Sequence, residues 1–184
     1  DLLSIDFGAI LGGFHGDAAR SDEIGKVAPA VAGLNQATEQ AVWVGIGAAR
    51  LDGRISDISA AIEGSLKVGG AKGEGYGIVR ELTGHGIGHA MHQPPEIPNH
   101  GRPGRGPLIT PGMCLALEPM ATLGSGATTV LDDEWTIVSD DGSYGAHWEN
   151  TITVTKRGLW VLTELDGGEA RLKALNLPYG PLAD

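Results

Sequence analysis

Thirteen residues, Thr83 to Pro95 (TGHGIGHAMHQPP), interleave three glycines with three histidines and end in two prolines. Gly84, Gly86 and Gly88 argue against a regular helix and let backbone approach backbone or ligand closely. The segment is therefore expected to run as strand and turn, with His85, His89 and His92 close together. Imidazoles gathered in so short a run suggest metal or acid–base work. Two familiar motifs are set aside. Gly84-x-Gly86 lacks the third glycine and the following helix of a dinucleotide-binding turn. His85 and His89 have the spacing of a helical zinc pair, but the glycines remove the helix that would align them.

Acids that could complete such a site lie on either side. Asp6 and Asp17 precede the segment and Glu118 and Glu149 follow it; all four are expected to converge on His85. Leu2 to Arg20 reads as a β-hairpin, with arms LLSIDFGAIL and FHGDAAR and a turn at or near Gly12-Gly13. A Leu11-Gly12 loop would set Asp6 directly opposite Asp17, and a Gly12-Gly13 loop would make them diagonal neighbours. Both registers put the two carboxylates on one face; a three-residue loop would separate them. Paired like charges repel, and a bound cation removes that penalty. Taken alone, the pair reads more simply as solvated surface aspartates.

Val27 to Arg50 is predicted as a helix, with Val31, Leu34, Thr38, Val42 and Ile46 near helical spacing, Gly53 as a stop beyond it, and Trp43 in the core. A second helix is predicted from an N-cap at Ser56 through Leu66, with Ile58, Ile62 and Leu66 as its buried stripe and Gly69-Gly70 as its end. Gly73 to Gly77 reads as loop. So does Pro94 to Pro107, where His100, Arg102 and Arg105 are expected to be solvated. A strand MCLALEPM (113–120) places Cys114, Ala116 and Glu118 on one face and Met113, Leu115 and Leu117 on the other. WTIVS and HWENTITVT are expected to flank a turn at Asp140-Asp141-Gly142. In the second of them His147, Glu149, Thr151 and Thr153 share a face, opposite Trp148, Asn150, Ile152 and Val154. Asp132, Asp133 and Glu134 are expected to solvate the approach to Trp135. A short strand LWVLT follows the turn at Lys156 to Gly158. Helices after a hairpin, then more strands, make an α+β layered fold. The division expected is a catalytic domain over 1–165 and a loosely held C-terminal tail over 166–184.

Composition narrows the function. The 184 residues suffice for one domain with a sizeable core, 41% hydrophobic and 20% charged. A net charge of −10 and the lack of a basic, aromatic-interleaved patch exclude a phosphate-tracking surface, so no nucleic-acid partner is expected. The longest apolar run, near Ala41 to Ala49, is too short to span a bilayer, so no membrane partner is expected either. The single cysteine, Cys114, cannot close an internal disulfide, which suits a reducing cytoplasm. The chain opens at Asp1 without an initiator Met or a signal peptide, and upstream residues are expected.

Two Asp, two Glu and one His form an oxygen-rich donor set, larger than a tetrahedral zinc needs and suited to two ions bridged by carboxylates. Two such ions roughly 3.5–4 Å apart can polarise a carbonyl and acidify a water, as in aminopeptidases. A second imidazole such as His92 could donate to the developing oxyanion. No nucleophilic-serine elbow is present, and Cys114 has no argued base.

IDFGAILGGFHGDAA, GHGIGHAMHQPPEIPN, PGMCLALEPM and AHWENTITVT resemble, in order and spacing, the metal-binding blocks of bacterial (actinobacterial-like) type 1 methionine aminopeptidases. The resemblance runs from Leu2 to about Thr163. It implies a pita-bread fold, with a curved antiparallel sheet holding a dinuclear site and helices outside, and further chain upstream. It also implies removal of N-terminal methionine from nascent proteins or peptides with a small second residue, through a metal-bridging water. Asp6, Asp17, His85, Glu118 and Glu149 match the family's metal ligands: Asp17 and Glu149 as bridges, Asp6 on one ion, His85 and Glu118 on the other. His92 matches the histidine at the scissile carbonyl, and Glu118 the proton shuttle. Trp135 and Met91 match positions near the methionine pocket. The cofactors implied are two divalent ions, Mn, Fe, Co or Zn, in a monomeric cytoplasmic enzyme. X-Pro aminopeptidases and prolidases share the scaffold, but Glu118-Pro119-Met120 and Glu149-Asn150 depart from the sequences expected of them. A non-catalytic pita-bread binding protein is the remaining alternative, against which the complete ligand set argues.

Overall fold

A computed structural model of the chain describes residues 1–70, 73 and 75–182. The chain opens with a hairpin, β1 (Leu2–Leu11) and β2 (Phe14–Glu23). Leu11 pairs with Phe14, so Gly12-Gly13 is the two-residue loop. Both glycines have positive φ, +58° and +83°, which a turn matched to the twist of the strands requires. In this register Asp6 faces Ala19 and Asp17 faces Gly8, so the two aspartates are diagonal neighbours on one face.

Two helices follow, α1 (Pro29–Ala48) and α2 (Ile55–Lys67). Pro29 stands in the first turn of α1, where its missing N–H costs nothing. The expected stripe is buried along α1, and Ile58, Ile62 and Leu66 are fully buried on α2. Trp43 is in the core as well. α2 begins one residue before the expected cap: Arg54 is the N-cap, and the Asp57 carboxylate accepts its backbone N–H at 2.7 Å. Ser56 instead accepts from the backbone N–H of Arg105.

The remaining strands are β3 (Gly77–Ile78), β4 (Thr83–Gly86), β5 (Gln93–Pro98), β6 (Cys114–Leu117), β7 (Met120–Thr122), β8 (Thr128–Val130), β9 (Ile137–Ser139), β10 (Gly145–His147), β11 (Asn150–Val154) and β12 (Leu159–Val161). Antiparallel pairing orders five of them as β12-β11-β6-β4-β5 and three as β10-β7-β3; β8 and β9 form a separate hairpin. The core joins the helices to the five-stranded sheet through Leu115, Leu117, Ile152, Val154 and Val161. That is the apolar face anticipated for both long strands. Among the described residues, no helix is long and apolar enough to cross a membrane.

Several expectations are corrected. MCLALEPM is not one strand: Pro119 carries no N–H for the ladder, and the chain passes there from the five-stranded sheet to the three-stranded one. HWENTITVT breaks likewise between His147 and Asn150. WTIVS pairs with β8 and not across the Asp140-Asp141-Gly142 turn, where the Asp141 carboxylate accepts the backbone N–H groups of Ser125 and Ser143. The first part of the 94–107 loop is β5, an edge strand, where proline is tolerated. His100 is not simply solvated; it lies 3.3 Å from an Arg80 guanidinium nitrogen. Within the GEGYG loop, Glu74 lies outside the described residues, and Gly77 begins β3.

The tail is held. In α3 (Glu169–Ala174) Leu172 is fully buried in the core, Tyr179 stacks on Trp160, and Leu159 exchanges backbone hydrogen bonds with Pro178 and Gly180. Residues 183 and 184 lie outside the described residues.

Candidate metal centre

β4 is squeezed between β5 and β6. A Cβ on Gly84 would run into the Ala116 carbonyl oxygen, and one on Gly86 into that of Pro94. The glycines on either side of His85 thus let three strands close up and set the imidazole on the sheet at a fixed depth, 6% exposed. Its Nδ1 lies 3.0 Å from the Gly86 carbonyl oxygen. That bond assigns the proton to Nδ1, and the Nε2 lone pair faces the acids.

Glu118 and Glu149 stand at the two strand interruptions described above, side by side because β6 pairs with β11 and β7 with β10. Glu149 is also bridged to the hairpin, its N–H donating to the Ala19 carbonyl at 2.7 Å. Thr151 donates its hydroxyl to the Asp17 carbonyl at 2.7 Å. These two bonds bring the aspartate face of the hairpin over the sheet. His85 Nε2 lies 3.4 Å from Glu118 Oε1 and 3.9 Å from Asp17 Oδ2.

Three overlapping groups have potential ligand atoms within 4.8 Å of one another: Asp6, Asp17 and Glu149; His85, Glu118 and Glu149; Asp17, His85 and His92. All five residues singled out as ligands are therefore in one cluster, with His92 at its edge. The His92 ring meets that of His85 edge-on, centroids 4.5 Å apart. Met91 lies against Gly8, where its methyl would block any added Cβ, beside the Asp17 carboxylate. Trp135 stands 87% exposed in the β8–β9 connection and does not join the cluster. Beside His85 and His92 opens a cleft of about 710 Å³, walled by Leu82, Pro94, Pro95 and Pro107.

The electrostatics suit a cation. Burial, then repulsion from Asp17, Glu118 and Asp6, pushes the Glu149 carboxyl up to about 9. Asp17 is also raised, by burial first and by Asp6 next, against a lowering influence from His85. Glu149 Oε1 is buried and has no hydrogen-bond partner among the described residues. An orphaned carboxylate oxygen among like charges is what a divalent ion would satisfy. Alternation puts one further neighbour on the same face without pointing to a role for it: His147, whose Nε2 is 3.5 Å from Glu118 Oε2. The signal was its position two residues before Glu149.

Known proteins share this arrangement of chain. Methionine aminopeptidase 1 of Mycobacterium tuberculosis is 47% identical over 164 residues, 89% of this chain and 62% of that protein. The crystal structure of methionine aminopeptidase from Rickettsia prowazekii matches with a TM-score of 0.83 at 38% identity, over 89% of this chain and 64% of that one. Prolidase from Pyrococcus furiosus matches in fold, with a TM-score of 0.67 at 19% identity, over 89% of this chain and 41% of that one. The α+β architecture is thus the pita-bread fold, and the chain spans less than two thirds of the length of these relatives. The model of metallopeptidase family M24 matches residues 1–156, a stretch that contains every residue of the cluster. The chain belongs to metallopeptidase family M24.

Proposed function

We propose that the chain is the catalytic part, over residues 1–165, of a dimetal aminopeptidase that removes N-terminal methionine from peptides and nascent proteins. The observation that carries this reading is the overlap of the donor groups. Glu149 belongs both to the set with Asp6 and Asp17 and to the set with His85 and Glu118, so two adjoining positions share one carboxylate. Asp17 and Glu149 would bridge, Asp6 would hold one ion, and His85 and Glu118 the other. Two divalent ions there would supply Lewis acidity to the scissile carbonyl and acidify the attacking water; Mn, Fe, Co and Zn all suit such a donor set.

The side chains divide the remaining work. Glu118 takes the proton of the attacking water and delivers it to the leaving amine. His92, exposed at the rim beside the cleft, donates to the carbonyl oxygen as it gains charge. Met91 and Trp135 would contact the methionine side chain. The two orphaned needs of the site, a countercharge for Glu149 and a donor for the oxyanion, are then met by different elements. A cytoplasmic location fits the lone half-buried Cys114, and the enzyme is read as a monomer.

Methionine release from a Met-Ala-Ser peptide, run beside an Ala-Pro peptide with Mn²⁺ or Co²⁺, tests the reading. Release from the first alone is expected. Cleavage of the Pro peptide alone overturns the methionine assignment, and silence on both from a protein of the relatives' full length carrying two metals per molecule overturns the enzymatic one.

A further inference from the structure

The two oxygens of Glu118 meet different histidines: Oε1 lies 3.4 Å from His85 Nε2, and Oε2 lies 3.5 Å from His147 Nε2. His147 Nε2 is buried, with no hydrogen-bond partner among the described residues, and its side chain is only 14% exposed. The ring is carried on a backbone clamped at both polar groups: His147 N–H donates to Ser21 Oγ at 3.0 Å, and Ser21 Oγ–H donates to the His147 carbonyl at 2.9 Å. Pairing of His147 with Met120, two residues beyond Glu118, fixes the strand that bears it. This buried ring nitrogen, on a backbone held by two hydrogen bonds, lies nearest to the second oxygen of a candidate ligand among the ionisable groups of the described residues.

We propose that His147 is a positioning residue for Glu118: its Nε2–H donates to Oε2 and turns the carboxylate so that Oε1 faces the metal cluster. The distance of 3.5 Å is long for a formed bond, and a small rotation of the Glu118 carboxylate closes it. The role is that of an outer partner orienting an inner ligand, whose loss typically weakens metal binding about 10–100-fold. The inference rests on the metal-binding reading of the cluster and adds to it a residue outside the donor set.

The test is Co²⁺ binding by the whole chain, followed by calorimetry and by the visible spectrum of the bound ion. His147→Phe keeps a ring and removes the donor. His147→Gln restores an amide N–H at about the reach of Nε2, and His147→Asn carries its amide too short to reach. Binding about 10–100-fold weaker in the Phe and Asn variants with a displaced cobalt spectrum, and both restored in Gln, is the expected result. The Asn and Gln pair decides the matter if the Phe variant fails to fold. Wild-type affinity in all variants overturns the proposal and leaves the metal site standing. Equal loss in Asn and Gln, with unchanged melting of the metal-free proteins, also overturns it, because a donor at the right reach would then not suffice. A wild-type chain that binds no cobalt overturns both this inference and the dimetal function.

Discussion

The β1–β2 hairpin and the five-stranded sheet both contribute ligand candidates to one cluster, and they are held in different ways. On the sheet side His85 and Glu149 are 6% and 4% exposed, and the strands beneath them pack on α1 and α2 through fully buried Leu115, Leu117 and Ile152. On the hairpin, β1 leaves Phe7 71% and Leu11 86% exposed, and Asp6 is open to solvent. Beyond the packing of Leu2 and the buried Ala19, the hairpin is fastened by hydrogen bonds at β2: Glu149 N–H donates to the Ala19 carbonyl, the Thr151 hydroxyl to the Asp17 carbonyl, the Ser21 hydroxyl to the His147 carbonyl and His15 N–H to the Gly88 carbonyl. Apolar burial thus dominates in one half of the site and polar contacts in the other. The lesson is that identical ligand types can differ widely in how much the fold invests in placing them.

The largest expected effect is in the packed half. Ile62→Ala empties a fully buried position on α2 and should lower stability by about 2–5 kcal/mol, read from the urea midpoint. A loss below about 1 kcal/mol would mean that the core is not what holds the sheet. Next, Gly86→Ala drives a methyl group into the Pro94 carbonyl and should cost about 1–3 kcal/mol, whereas Gly16→Ala on the hairpin, with no atom within 4 Å of the added carbon, should stay within about 0.5 kcal/mol. Equal costs would erase the contrast.

The metal-free chain should also respond to pH through the buried half. The Glu149 carboxyl titrates near 9 when folded against 4.5 ordinarily, so the folded state keeps a proton that the unfolded chain releases. Stability from this group is full below pH 4.5 and is lost as pH rises toward 9, by at most about 1.4 kcal/mol per pH unit. Glu149→Gln, neutral at every pH, should flatten that slope in urea titrations at pH 5, 7 and 9; an unchanged slope would locate the proton elsewhere. The smallest effect is expected on β1: Phe7→Ala should change stability, read from the urea midpoint, by no more than about 0.5 kcal/mol, and a larger loss would show that the exposed strand is packed after all.

Local rules made much of this legible in the residues. Alternation along Leu2–Leu11 and Phe14–Glu23 put Asp6 and Asp17 on one face in either hairpin register, and helical spacing named the buried stripes of α1 and α2. The density of glycine around His85 ruled out a helix because a missing Cβ is a property of the residue itself. The register was not legible, because Leu11-Gly12 and Gly12-Gly13 both make acceptable turns. Nor were the breaks at Glu118-Pro119 and before Asn150, the pairing of β9 with β8, the strand in 93–98 or the seat of Leu172, since each depends on a partner distant in the chain.

By itself, then, the sequence determined which side chains share a face and which backbone stretches could approach closely, since sterics and periodicity act over a few residues. Tertiary structure alone decided that Glu118 and Glu149 stand together where strands change sheets, that burial and neighbouring acids push the Glu149 carboxyl up, and that His147 lies against the second oxygen of Glu118. Desolvation and the meeting of charges arise only when distant segments pack.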